Sequence, residues 1–197
     1  NDYKSENTGN AKYRDKMKRR LELRNKINQG ISYNYSEKKA VIQHFFHKNK
    51  EIPLWAVFEV INLGEFGVFL QCLNKNTRIA VAEDLRMHTT NHNQNGRIIE
   101  DIIFLIKELR NAVAHNSVVF DCRFKKTNPP SRLKEYLQHE TTISNIVFES
   151  IVDYFVLLIF LLKKLGVAKT ELRRILKIFS DECFRVFLIV SIGSCPH

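Results

Sequence analysis

Apolar residues recur at every third or fourth position through most of this chain, and no sustained alternation marks a strand. The strongest case is the stretch 97–120, RIIEDIIFLIKELRNAVAHNSVVF, where Ile99, Ile102, Ile106, Leu109 and Val113 fall on one helical face. At about 100° per residue, Asn111 and His115 share a face nearly opposite that stripe. Arg110 stands at the stripe's edge, with a side chain long enough to swing toward them. A helix over 98–115 therefore buries one side and offers Arg110, Asn111 and His115 from the other.

The remaining pattern is also helical. Residues 1–10 read as a disordered lead, and residues 12–28 as a basic helix anchored by Met17, Leu21 and Ile27 and closed by Gly30. Ser36 is placed to cap a helix running to His47. Pro53 takes the first position of a helix that ends at Gly64. Short helices follow over 65–73 and 77–85, then a polar loop, HTTNHNQNG, over 88–96. Residues 118–124 have the composition for a brief strand, and Asn128-Pro129-Pro130 makes a rigid turn. Further helices are expected over 131–139, 144–165 and 169–179, with a last apolar stretch over 181–192. The fold class is all-α, a bundle built on two long antiparallel helices, 98–115 and 144–165. Residues 1–35 form a basic N-terminal arm and 36–197 a single helical domain.

Charge adds a partner class to this picture. The formal charge is +10 and the pI about 9.5, which favours a polyanionic partner. Residues 1–50 hold 13 Lys and Arg against 5 Asp and Glu, so most of the excess lies there. Lys16, Arg19 and Arg20 on the basic helix are the candidate RNA-phosphate contacts. The chain opens on Asn1 rather than Met, which leaves room for upstream residues, and its first twenty positions are too polar for a signal peptide. The run YFVLLIFLL over 154–162 is too short to span a bilayer and is bracketed by Asp153 and Lys163, so it reads as a buried core helix with no membrane partner. Cys72, Cys122, Cys183 and Cys195 show neither close pairing nor metal spacing, as expected of thiols in a reducing cytoplasm.

Several chemistries lack their signatures: there is no Gly-rich phosphate loop, His-Glu-x-x-His, Cys-x-x-Cys or Gly-x-Ser-x-Gly. His88 and His92 lie four apart in a loop with no thiol or carboxylate beside them, so neither a metal site nor a cofactor is expected. Arg110, Asn111 and His115 suit phosphodiester cleavage without a metal. An imidazole can take a proton from a ribose 2′-hydroxyl or give one to the departing 5′-oxygen. A guanidinium can hold the non-bridging oxygens and offset the charge growing on phosphorus. One histidine does not easily serve as acid and base in a single step, so two copies of the helix meeting in a homodimer would supply the second. Arg86 with His92 and Arg132 with His139 share the Arg-to-His spacing, but only the pair at 110 and 115 ends the dominant helix with Asn beside Arg.

The segment LRNAVAHNS resembles the Arg-Asn-x-x-x-His signature of the HEPN superfamily. IPLWAVFEVINLGEFGVFLQCL resembles the Pro-Leu-Trp…Glu…Gly stretch of its Abi-like branch, the AbiD/AbiF-type abortive-infection proteins. The two motifs stand in order about fifty residues apart, and the likeness covers roughly 36–124. It implies an α-helical bundle, dimerisation, and metal-independent RNA cleavage or RNA binding in bacterial defence against phage. Arg110, Asn111 and His115 take the catalytic positions by that likeness. Many relatives carry a second His directly after the motif His, where this chain has Asn116. The expectation is a cytoplasmic endoribonuclease effector. The alternative is a non-cleaving RNA-binding or regulatory module, which the resemblance allows to be complexed with a small RNA.

Overall fold

The computed structural model describes residues 2–37, 39–89, 91–119, 122, 124–125 and 128–193, with side chains through Cys183. Among them are nine α-helices and no strand. They are α1 (Ala11–Ser36), α2 (Ala40–His47), α3 (Leu54–Phe58), α4 (Leu63–Cys72), α5 (Lys75–Asp84), α6 (Ile98–Ala114), α7 (Ser131–Thr141), α8 (Ile151–Lys164) and α9 (Lys169–Gly193), after a 3-10 turn at Asp2–Ser5. The all-α class stands. The expected strand does not form at the described positions of 118–124; residues 120, 121 and 123 lie outside the description.

The chain divides into two compact units, Asn1–Tyr154 and Phe155–His197. In the first, α6 packs on α4, α4 on α1, and α7 on α6, so four helices form its centre. The longest helices are α1 and α9, of 26 and 25 residues, against 17 for α6 and 14 for α8. Ile98, Ile102, Leu133, Tyr136, Leu137 and Tyr154 are all but inaccessible to water. Each such aliphatic side chain contributes about 1.5–3 kcal/mol on burial. Gly67 lets α6 approach α4: a Cβ there would lie 2.9 Å from the Phe104 ring.

Several helix ends depart from expectation, each for a tertiary or capping reason. Gly30 does not close α1, which runs on to Ser36. A Cβ at Gly30 would sit 3.2 Å from the Val60 carbonyl oxygen, so this glycine admits the neighbouring turn instead. Ser36 ends α1 rather than capping α2, and its hydroxyl donates to the Ser32 carbonyl at 3.1 Å. Pro53 precedes α3 as its N-cap, and that helix lasts five residues. A new start at Asn62 follows. The Asn62 side chain accepts from the Glu65 N–H at 3.0 Å, and Glu65 accepts from the Asn62 N–H at 2.9 Å. This reciprocal capping box draws Gly64 into the first turn of α4. Helix α8 begins at Ile151, seven residues after the expected start. The Asp153 carboxylate accepts from the N–H groups of Val147 (3.3 Å) and Phe148 (2.8 Å), fixing the preceding loop with Phe148 buried at φ 61°.

In the second unit, α9 is continuous over what the pattern divides into a helix and an apolar stretch. The Phe155 and Phe179 rings stack there, centroids 3.7 Å apart. No helix among the described residues is long and apolar enough to cross a membrane. Cys72, Cys122 and Cys183 form no disulfide among the described residues, and Cys195 lies outside them.

The start of α6 is fixed by charge and by a built loop. Arg132 on α7 forks onto Asp101, Nε to Oδ2 and Nη2 to Oδ1 both at 2.6 Å, and reaches Glu100 at 3.5 Å. Both carboxylates occupy the first turn of α6, where the helix dipole favours negative charge. The 88–96 loop is organised by buried Asn93, whose amide donates to the Met87 carbonyl at 2.9 Å and accepts from the Ile98 N–H at 3.2 Å. Burial pushes the Glu100 carboxyl above the usual carboxylate range, opposed by Arg97, reinforced by Asp101 and opposed again by Arg132. The folded chain therefore holds this proton to higher pH than the unfolded chain does. The stability that follows is fully present below the ordinary carboxylate pKa and lost as pH rises through the raised one. Glu100→Gln is expected to raise the melting temperature at neutral pH by a few degrees, a gain that shrinks on acidification; thermal scans at several pH values read it.

Candidate active site and basic cleft

The apolar stripe of α6 is buried in its first half and runs out into solvent in its second. Ile98, Ile99, Ile102, Ile103 and Leu105 are buried, as is Ala112, but Val113 is 59% exposed. This departs from the expected five-residue buried stripe, and it leaves one side of the end of α6 open to solvent. Arg110 and His115 are exposed there and Asn111 half-buried. His115 is the C-cap, φ −101° and ψ 15°, and its N–H donates to the Asn111 carbonyl at 3.0 Å. The Arg110 Nη1 donates to the Asn111 Oδ1 at 3.1 Å, so guanidinium and amide are joined. Among the described residues no side chain bonds the His115 imidazole. Val118, three residues on, is 61% exposed, so the polar trio is flanked by bare apolar surface.

The candidate phosphate contacts on α1 separate into different environments. Lys16 bonds Glu6 at 2.9 Å and Asp2 at 3.1 Å. Burial lowers its pKa, but the bonds to Glu6 and Asp2 outweigh that and hold the ammonium above its ordinary value. Its charge is spent inside the fold. Asp2 also meets buried Arg78 at 3.4 Å, and Arg78 donates to the Leu73 carbonyl at 2.6 Å, so the 3-10 turn is tied to α1 and α5. Arg20 lies over the Tyr3 ring, 5.3 Å from its centroid. Arg19 alone of the three opens onto a sizeable cleft, of about 490 Å³, between α1, α4 and α6.

Two further cations that the sequence does not single out share that cleft: Lys26 from α1 and Lys107 from α6. Lys107 precedes Asn111 by one helical turn, so the signal for it was its four-residue spacing from the trio. The histidines of the two other Arg-to-His pairs also meet, the His92 and His139 rings lying 4.8 Å apart. Arg132 borders a pocket lined by His92, but its guanidinium is committed to Asp101 and Glu100. His88 is 3.9 Å from Glu83. Among the described residues no three His, Cys, Asp or Glu side chains gather as a metal site.

The model of the family described as "Abi-like protein" matches residues 1–121, from the 3-10 turn through α6 and the trio at its end. The chain belongs to the Abi-like family. The match extends upstream of position 36 and so takes in α1. It ties the chain to abortive infection. No curated protein and no solved structure matches it. In Abi-like terms, the matched segment contains both the polar end of α6 and the whole lining of the cleft beside it.

Proposed function

We propose that this Abi-like chain is a metal-independent endoribonuclease of the HEPN type, acting in bacterial defence against phage. The observation that carries this reading is the end of α6. Arg110, Asn111 and His115 stand in the last turn and C-cap of the helix, Arg110 and His115 exposed and so accessible to a polyanion, with Arg110 and Asn111 already hydrogen-bonded.

In this reading Arg110 holds the non-bridging oxygens of the scissile phosphate. The ribose 2′-oxygen attacks phosphorus as its proton passes to a base, and the 5′-oxygen leaves with a proton from an acid. The products are a 2′,3′-cyclic phosphate and a 5′-hydroxyl. His115 fills one of those proton-transfer roles and the His115 of a second copy the other. Val113 and Val118 support such pairing, since they place apolar surface beside the trio that a second copy would cover. Asn111 orients the Arg110 guanidinium through their 3.1 Å bond.

The test is purified protein on mixed single-stranded RNA in EDTA, with end analysis and light scattering of the same sample. Cleavage leaving cyclic-phosphate ends, by a dimer, is the expected result. Binding without cleavage at any concentration would favour a non-cleaving RNA-binding module.

A further inference from the structure

We propose that the cleft between α1, α4 and α6 seats the phosphates of a single RNA strand and leads it to the polar end of α6. Arg19, Lys26 and Lys107 are the contacting residues. The inference rests on the RNA reading above and adds where the strand lies.

Four observations converge on it. The cations come from both walls of the cleft, Arg19 and Lys26 from α1 and Lys107 from α6. Among the described residues, none of the three is paired with a carboxylate, unlike Lys16. The acidic residues lining the cleft are otherwise engaged: Glu65 closes the capping box of α4, and Glu22 is 3.9 Å from Lys18. Finally, Lys107 is placed rather than loose. Its stem crosses α4 at Gly64, where a Cβ would lie 3.2 Å from the Lys107 Cδ, and its ammonium lies 5.6 Å from the Phe104 ring centroid.

Direction follows from helix geometry. Viewed down α6, Lys107 lies between Arg110 and Asn111, within about 60° of each and one turn earlier. A strand bound to Lys107 thus needs about 5 Å of advance along the helix axis to bring its next phosphates to the trio. The three cations suit phosphates rather than base edges, so their contacts would be to backbone and largely indifferent to sequence. A cleft of about 490 Å³ suits a flexible single strand, whereas a duplex presents its phosphates on a broad convex surface.

The test measures binding of a short labelled single-stranded RNA across a salt series, in the His115→Ala protein so that the probe survives. Arg19→Gln/Lys26→Gln/Lys107→Gln is compared with a control carrying Lys12→Gln/Arg14→Gln/Arg24→Gln at exposed positions of α1 outside the cleft. The cleft variant is expected to lose about tenfold or more in affinity and to flatten the slope of log K against log salt by about two, the control much less. Should the triple variant misfold by circular dichroism, Lys107→Gln against Lys107→Arg gives the same answer, with arginine restoring binding. Equal losses in cleft and control variants, or no loss in either, overturn the proposal. So does a duplex of the same sequence binding as tightly and with the same dependence on the cleft. Cleft-dependent binding by a wild-type protein that never cleaves would leave the track standing and remove the nuclease reading. Wild-type cleavage with cleft-independent binding would do the reverse.

Discussion

His115→Ala abolishes RNA cleavage while leaving fold and RNA affinity in place: this is the expected outcome of the most direct substitution in the proposed site. A positioned general acid or base accounts for about 10²–10⁴-fold of rate, so the loss should take activity to near the limit of detection. Two features make the result interpretable. The side chain is exposed at the C-cap of α6, and among the described residues it bonds no neighbour, so its removal opens no cavity. The cations of the cleft lie one or more turns away, so binding is retained. Arg110→Lys sharpens the comparison. It keeps the charge but gives up the planar fork that can meet two phosphate oxygens while donating to Asn111. Cleavage should fall in that variant with binding little changed. Single-turnover rates on end-labelled RNA, beside anisotropy for affinity, separate the two effects. If His115→Ala cleaves at the wild-type rate, the site is elsewhere.

The largest effect on stability is expected from Gly96→Ala. Gly96 adopts φ +64°, and a Cβ there would overlap the Arg78 carbonyl oxygen and stand 2.6 Å from its carbonyl carbon and 2.9 Å from the Ile79 nitrogen. These are backbone atoms of α5, which no side-chain rotation can move aside. An L-residue in the left-handed region costs about 1–2 kcal/mol, and the overlap adds roughly 1–3 kcal/mol more. Gly166 provides the contrast: it adopts φ +85° with no atom near a would-be Cβ, so Gly166→Ala should cost only the conformational part. Urea midpoints of the two variants, measured side by side, test the difference. Equal losses would mean that the α5 backbone yields to the added methyl.

The features legible in the sequence are those fixed by local chemistry. Helix α6 ends within a residue of expectation because its apolar period is long and strong, and the all-helical class follows from that period repeated along the chain. The errors come from residues whose meaning depends on distant partners. Gly30 has the composition of a helix stop, yet it is where α1 lets the Val60 turn approach. Ser144 has the composition of a helix start, yet Asp153 holds the backbone ahead of it in a loop. Charge is the least transparent of all. Lys16, Arg19 and Arg20 are indistinguishable along the helix, but only the fold brings Asp2 and Glu6 to Lys16, sets Tyr3 under Arg20, and leaves Arg19 facing a cleft. One overlooked signal was local: Asn62 and Glu65 spell a capping box, which moves the start of α4 ahead of Gly64. At the site, the three residues are adjacent on one helix, so their proximity is a property of spacing; the bareness of Val113 and Val118 beside them is not.

Helix α6 is a cantilever. Its base is clamped by the Arg132 fork and the Asn93 loop, and its last turn carries Arg110 and Asn111 just before the last buried side chain, Ala112, and His115 just after it. A beam held at one end leaves its tip the freest part, so whatever grips the tip must bear the entropy of ordering it, about 1–2 kcal/mol for each residue fixed. Alone, the tip is a poor template for chemistry that depends on sub-ångström placement. In the proposed site, whatever grips the tip would supply that placement at the expense of affinity, completing what the Arg110–Asn111 bond begins.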